Sequence, residues 1–184
     1  MRKFNGLRPQ DIVLLLKLVA NSSRTRWQGT ELAQALELST SEVSDSLARC
    51  RYSRLLSADP QRFSVHSQAL RELVLHGLPY IFAAHPGSFA RGIITGASAP
   101  PLNRIFGADP AYVWPAADGD VWGTTIDPLY AGAPAAARRD NRLHELLALV
   151  DALRLGRPQE RAVASKLLSE YIPLPNEYHA ESDT

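Results

Sequence analysis

TELAQALELSTSEVSDSLARCRYSR, residues Thr30 to Arg54, is the stretch whose reading decides the fold. Apolar Leu32, Ala33, Leu36 and Leu38 line one side of a first short helix, and Val43 and Leu47 line the inner side of a second. Ser39 stands where the second helix starts, with Glu42 three residues on. A hydroxyl and a carboxylate at that spacing can each satisfy a backbone donor that the first turn leaves orphaned. With the apolar side turned inward, Ser39, Thr40, Ser41, Ser44, Asp45, Ala48 and Arg49 face outward, a polar surface built mostly of small side chains. Two helices, a tight turn and a small-residue outer face are the plan of a helix-turn-helix, whose second helix enters the DNA major groove.

Upstream, Pro9 opens a helix expected over Pro9–Ala20, with Ile12, Leu15, Leu16 and Val19 at helical spacing and Val13, Leu14 and Leu18 widening its apolar face. Met1 to Leu7 reads as a short basic arm, and Trp27 as a core plug. The paired helices are expected over about Thr30–Leu36 and Thr40–Ser53. Glu37 occupies the turn, where a left-handed conformation costs a non-glycine residue roughly 1 kcal/mol. Downstream, Asp59-Pro60-Gln61 is a turn signal between Leu55/Leu56 and Phe63/Val65, so a β-hairpin is expected. Helix, helix, outward-facing helix and hairpin together make a winged helix.

From Leu7 to Val65 the chain resembles the winged helix-turn-helix of MarR-type bacterial transcription regulators. Glu31-Leu32-Ala33-Gln34-Ala35-Leu36-Glu37-Leu38-Ser39, then Ser41-Glu42-Val43-Ser44, then the hairpin carry the likeness over about a third of the chain. The resemblance implies binding of double-stranded DNA as a homodimer, with the helix near Ser39–Arg49 in the major groove and the hairpin near Arg62 over the backbone or minor groove.

Beyond the hairpin, Ser67 is an N-cap candidate for a helix carrying Leu70, Leu73 and Val74, with Gly77 as its stop. Residues 78–135 hold most of the prolines and glycines and no sustained helical period. Within them Tyr112-Val113-Trp114 and Asp120-Val121-Trp122 flank Asp118-Gly119, which favours a tight hairpin. The remainder is expected as irregular extended chain, kept packed by its aromatics. Regular structure returns at Asp140, a cap for a helix with Leu143, Leu146, Leu147, Val150 and Leu153 as its stripe. Gly156 ends that helix and Pro158 starts another carrying Ala162, Val163, Leu167, Leu168 and Tyr171. Asp151 and Arg154 read as a local ion pair or an interface contact. Past Pro173 and Pro175, the last residues are expected to fray.

The fold class is therefore mainly α with a small β component: a winged helix-turn-helix over 1–77, a Pro/Gly-rich segment with a short hairpin over 78–135, and a helical pair over 136–184 for dimerisation or partner contact. Apolar residues make up 45% and charged residues 21%, a globular balance. No apolar run is long enough for a transmembrane helix, and the stretch from Ile12 to Ala20 is interrupted by Lys17 and lacks a cleavage site. Cys50 is the single cysteine, which excludes an internal disulfide and a cysteine-based zinc site. A cytoplasmic setting is expected.

Net charge is +1, unevenly spread: residues 1–76 carry 11 Lys+Arg against 7 Asp+Glu, and residues 77–184 carry 9 against 12. A basic amino-terminal part suits a DNA-facing module. Its proposed contacts are Ser39, Thr40, Ser41, Ser44 and Asp45 on the helix, with Arg49, Arg51, Arg54 and Arg62 for phosphates. Taken singly, each Arg is as well explained by an ordinary solvated face. No pair among His66, His76, His85, His144 and His179 has metal-site spacing, and no phosphate-cradling or nucleophile motif is present. No catalytic residue, cofactor or metal is expected. The function expected is a dimeric DNA-binding repressor reading an inverted repeat. The alternative is an antitoxin or adaptor that binds a protein partner through residues 78–135 and regulates its own operon, and a third reading uses the aromatic middle segment as an enzyme or sensor pocket.

Overall fold

The computed structural model describes residues 6–24, 26–107 and 110–174, so the expected basic arm falls largely, and the frayed carboxyl end wholly, outside the described residues. The protein is mainly helical with one small three-stranded sheet. Helix α1 spans Pro9–Ala20, α2 Gly29–Leu36 and α3 Thr40–Tyr52, within a residue of the expected bounds. Ile12 to Leu16 of α1 are fully buried, so this helix is the spine of the amino-terminal half. Trp27 is partly buried and packs against the core, as a plug should.

The carboxyl ends of α2 and α3 close by the same device. Glu37 is left-handed (φ 52, ψ 43) and the Leu38 amide donates to Ala33 O. Arg54 is left-handed (φ 58), its amide donates to Arg51 O, and the Leu55 amide donates to Cys50 O. These are Schellman closures made without glycine.

The expected hairpin over 55–65 is reduced to one bridge, Leu56 with Val65. Its turn is present: Asp59 Oδ1 accepts from the Gln61 amide, and Asp59 O from the Arg62 amide. Strands fail to extend because Leu55 and Leu56 are both buried, which breaks the two-residue alternation a strand needs. Next, α4 (Ser67–Glu72) does not stop at Gly77. It widens into a π-turn over Leu73–Gly77, where the Leu78 amide donates to Leu73 O, and continues as α5 (Leu78–Ile81). Pro79 brings no N–H and a bulky ring to that turn, and the wider spacing accommodates both.

The sheet also differs from expectation. β1 (Pro86–Ile94) pairs antiparallel with β2 (Tyr112–Pro115) and with β3 (Val121–Ile126), and β2 and β3 run parallel, closing a three-stranded barrel. Tyr112–Trp114 and Val121–Trp122 are strands as foreseen, but they are not each other's hairpin. A turn does form at Ala116–Gly119, yet the common antiparallel partner is β1, whose PGSFARGII reads as loop. Closure of so narrow a barrel brings backbones together at glycines. A Cβ on Gly92 would overlap the Trp114 carbonyl, one on Gly119 the Gly92 backbone, and one on Gly123 the Ala111 carbonyl.

After α6 (Ala133–Arg138), α7 (Asn141–Leu155) and α8 (Pro158–Tyr171) form the expected pair. Asp140 Oδ1 caps α7 by accepting from the Leu143 amide, while Oδ2 accepts from Lys17 Nζ at 2.6 Å and Asn21 Nδ2 at 2.9 Å. This ties α7 to α1. The stripe expected to build a dimer, Leu143, Leu146, Leu147, Val150 and Leu153, is buried within the chain. Residues of all three sequence segments, Leu16, Trp114 and Leu146 among them, belong to one apolar cluster.

Candidate nucleic-acid interface

Helix α3 has two chemically different sides. On the inner one, Asp11 of α1 is fully buried and collects four donors. Its Oδ2 accepts from the Arg8 amide at 2.8 Å and from Arg49 Nε at 2.7 Å. Its Oδ1 accepts from Arg49 Nη2 at 2.7 Å and from the Ser46 hydroxyl. The fork-to-fork pair holds the Arg49 guanidinium's pKa above its ordinary value. Arg49 is therefore a strut between α1 and α3. Its side chain is 12% exposed, and the outward phosphate contact expected of it is not where the structure puts it. Cys50 sits beside it, donating through Sγ to Asp11 O at 3.8 Å, and burial pushes its thiol pKa up.

The outer side carries Thr40, Ser41, Ser44 and Ala48, all exposed. Ser39 is exposed as well but is committed to the cap: Glu42 N donates to Ser39 Oγ at 3.2 Å, and Glu42 Oε2 accepts from Ser39 N and Oγ. Those bonds hold the Glu42 carboxyl below the usual range, with the Ser39 hydroxyl the largest cause. Asp45 is half-buried on the same helix as Arg49, and Tyr52, at the last turn, is 69% exposed.

The remaining arginines separate by role. Arg51 Nη2 donates to Pro60 O at 3.1 Å and so pins the loop to α3. Arg54 is exposed at the left-handed closure, and Arg62, 76% exposed, is 3.5 Å from Asp59. The loop faces the connection ahead of α2 across an open groove lined by Arg24, Arg26, Trp27, Arg62 and Phe63. Arg24 stacks on Trp27 with its Cζ 4.1 Å from the ring centroid, and pairs with Glu31 at 2.5 Å. Arg24 and Arg26 were not among the residues expected here; their place beside the loop depends on packing across some forty residues.

The turn between α2 and α3 is braced from the other half of the chain. Tyr130 donates its hydroxyl to Leu36 O, Arg139 pairs with Glu37 and donates through Nη1 to Gln34 O at 2.9 Å. Gly132 passes so close to Glu37 that a Cβ there would crowd it.

Elsewhere, Asp151 and Arg154 form the expected local ion pair, and it is buried rather than at an interface. Asp151 Oδ2 accepts from Thr95 Oγ1 and Trp114 Nε1, each at 2.7 Å, and its Oδ1 from Arg154 Nη1 at 2.6 Å. Burial pushes its carboxyl up, with Arg154 opposing. This network, with His144 Nε2 donating to Ile94 O at 2.8 Å, fastens the barrel to α7. On the barrel's outside, Phe89 and Trp122 stack at 6.2 Å and are each 62% exposed. Among the described residues no group of three or more His, Cys, Asp or Glu could hold a metal ion, and no helix is long and apolar enough to cross a membrane. No protein-family model, curated protein or solved structure matches this chain.

Proposed function

We propose that the protein is a DNA-binding transcriptional regulator, a repressor that reads an inverted repeat as a homodimer. The observation that carries this reading is the two-sided construction of α3. A buried bidentate pair fixes the inner side to α1, while Thr40, Ser41, Ser44 and Ala48 leave the outer side free of bulk. A rigid helix with small hydroxyl-bearing residues fits close approach to a groove, and such side chains donate to phosphates and base edges. Arg54 and Arg62, with Arg26 beside the loop, supply the charge for flanking phosphates. In this reading the short loop between Leu56 and Val65 serves as the wing. The three-residue turn at Glu37–Ser39 gives the helix-turn-helix of the reading. Because the stripes of α1 and α7 are consumed internally, the pairing of two copies falls to other surfaces. Half-sites then lie about one DNA turn (~34 Å) or a multiple apart. Titrating purified protein against genomic DNA fragments at several salt concentrations tests this. Affinity falls steeply with salt, and Arg62→Ala flattens the log–log slope by roughly one. Absence of binding at low salt by folded protein contradicts it.

A second reading, a partner-binding antitoxin or adaptor acting through residues 78–135, is favoured by the Phe89–Trp122 pair, since stacked aromatics exposed on a sheet suit a protein contact. Trp122→Ser then releases a co-purifying protein from the native host while leaving DNA binding intact. Retention of that protein by the variant would count against it.

A further inference from the structure

The cavity richest in chemistry lies away from the outer face of α3. It has a volume of about 790 Å³ and is a cleft open to solvent between the last turn of α1, the loop at Phe63–Val65, the start of α4 and the carboxyl end of α8. That volume is in the range of small-molecule sites, which run to roughly 300–1,000 Å³. Arg24, Arg71, Arg142 and Glu170 stand in its lining; Arg24 pairs with Glu31 at 2.5 Å and donates through Nε to Arg26 O at 2.9 Å, and Arg142 pairs with Glu145 at 3.4 Å.

Each guanidinium is held in place before any ligand arrives. Arg142 lies over the Tyr171 ring, 3.3 Å from its centroid, and reaches Glu145 only at 3.4 Å. Arg24 is stacked on Trp27. Arg71 donates through Nη2 to Ser169 O at 2.6 Å and to Ile172 O at 2.8 Å, which fixes it against the end of α8. Seryl hydroxyls contribute further donors to the wall, and Val19, Phe63 and Val65 give it an apolar side.

We propose that this cavity binds a small organic phosphate: an apolar body against Phe63 and Val65, with a phosphate monoester held by Arg142 and Arg24. Guanidinium forks match phosphate oxygens, and immobilised donors lose little freedom on binding. The binding site stands by itself. Its regulatory consequence rests on the DNA reading, because Phe63 adjoins Arg62 and a ligand that moves the loop moves that contact.

Phenyl phosphate is the probe, with phenol and inorganic phosphate as halves of it, titrated into the full chain by calorimetry and by tryptophan fluorescence, to which the Arg24–Trp27 stack makes the site sensitive. Phenyl phosphate binds saturably with one site per chain, and either half binds at least about tenfold more weakly. Arg142→Gln weakens phenyl phosphate at least about tenfold, and Arg142→Lys, which keeps the charge but not the fork, weakens it less. Should Arg142→Gln fail to fold, Ser64→Trp, a substitution on the exposed loop that fills the cavity, must abolish binding. Phenyl phosphate that does not saturate, or that binds these folded variants as it binds the native chain, overturns the site. With the site intact, an unchanged DNA titration in the presence of phenyl phosphate overturns only its regulatory role, and a lack of DNA binding altogether overturns only the DNA reading.

Discussion

Arg49 and Arg62 look alike in sequence and behave oppositely in the fold. Arg49→Ala strands the fully buried Asp11 carboxylate, and losing one partner of such a pair costs about 3–5 kcal/mol. Arg62→Ala, exposed beside Asp59, changes stability by less than about 0.5 kcal/mol. Urea denaturation separates the two. Equal midpoints would show that the Asp11 cluster does not hold α3. Arg54 offers the reverse sign. Its left-handed backbone makes Arg54→Gly stabilising by up to about 1 kcal/mol, although the same change removes a cation from the proposed interface. The signal for Asp11 was present in the sequence, as an acid at the head of a helix otherwise apolar along one side. What was missing was its partner 38 residues away, and a buried carboxylate cannot be told from an exposed one until that partner is known.

At the scale of elements, the helices were legible because each has a period, a cap and a stop of its own. Pro9, Ser39–Glu42, Asp140, Gly156 and Pro158 all act locally, and all act as read. Two strands of the sheet were legible, but β1 and the pairing were not, because β1 owes its existence to two distant strands and to glycines that make room for them. Gly77 misled for a related reason: the helix continues past it through a π-turn that accommodates Pro79. Gly92→Ala forces a methyl into the Trp114 carbonyl and destabilises the protein by at least about 2–3 kcal/mol, with loss of the Trp114 near-ultraviolet signal. An unchanged spectrum and midpoint would mean that the barrel does not close this tightly.

For the molecule as a whole, the decisive contacts join segments that the sequence presents as separate. Lys17 to Asp140 links the first to the last, Asp151 to Thr95 and Trp114 links the middle to the last, and Tyr130 to Leu36 links the middle to the first. One continuous core should therefore unfold in one cooperative step, with helical circular dichroism and tryptophan fluorescence sharing a midpoint. Separate transitions would indicate independent modules. Burial alone would raise the Asp140 pKa, but the bonds from Lys17, Asn21 and the Leu143 amide outweigh it and hold it below the ordinary value. A carboxylate depressed in the folded state stabilises above the unfolded pKa, about 4, and its contribution is lost as pH falls through the folded value. Asp140→Ala costs about 3 kcal/mol at neutral pH, combining a lost cap with an unpaired buried Lys17, and flattens the acid limb of the stability curve. Whether α3 reads DNA is decided most directly by footprinting the full chain on genomic fragments at low salt, native protein beside Ala48→Glu. That substitution sets a negative charge on the exposed face without touching the core. A protected inverted repeat that disappears in the variant at an unchanged melting temperature is the expected result; no protection by the native protein, or protection that survives Ala48→Glu, would rule out DNA reading by α3.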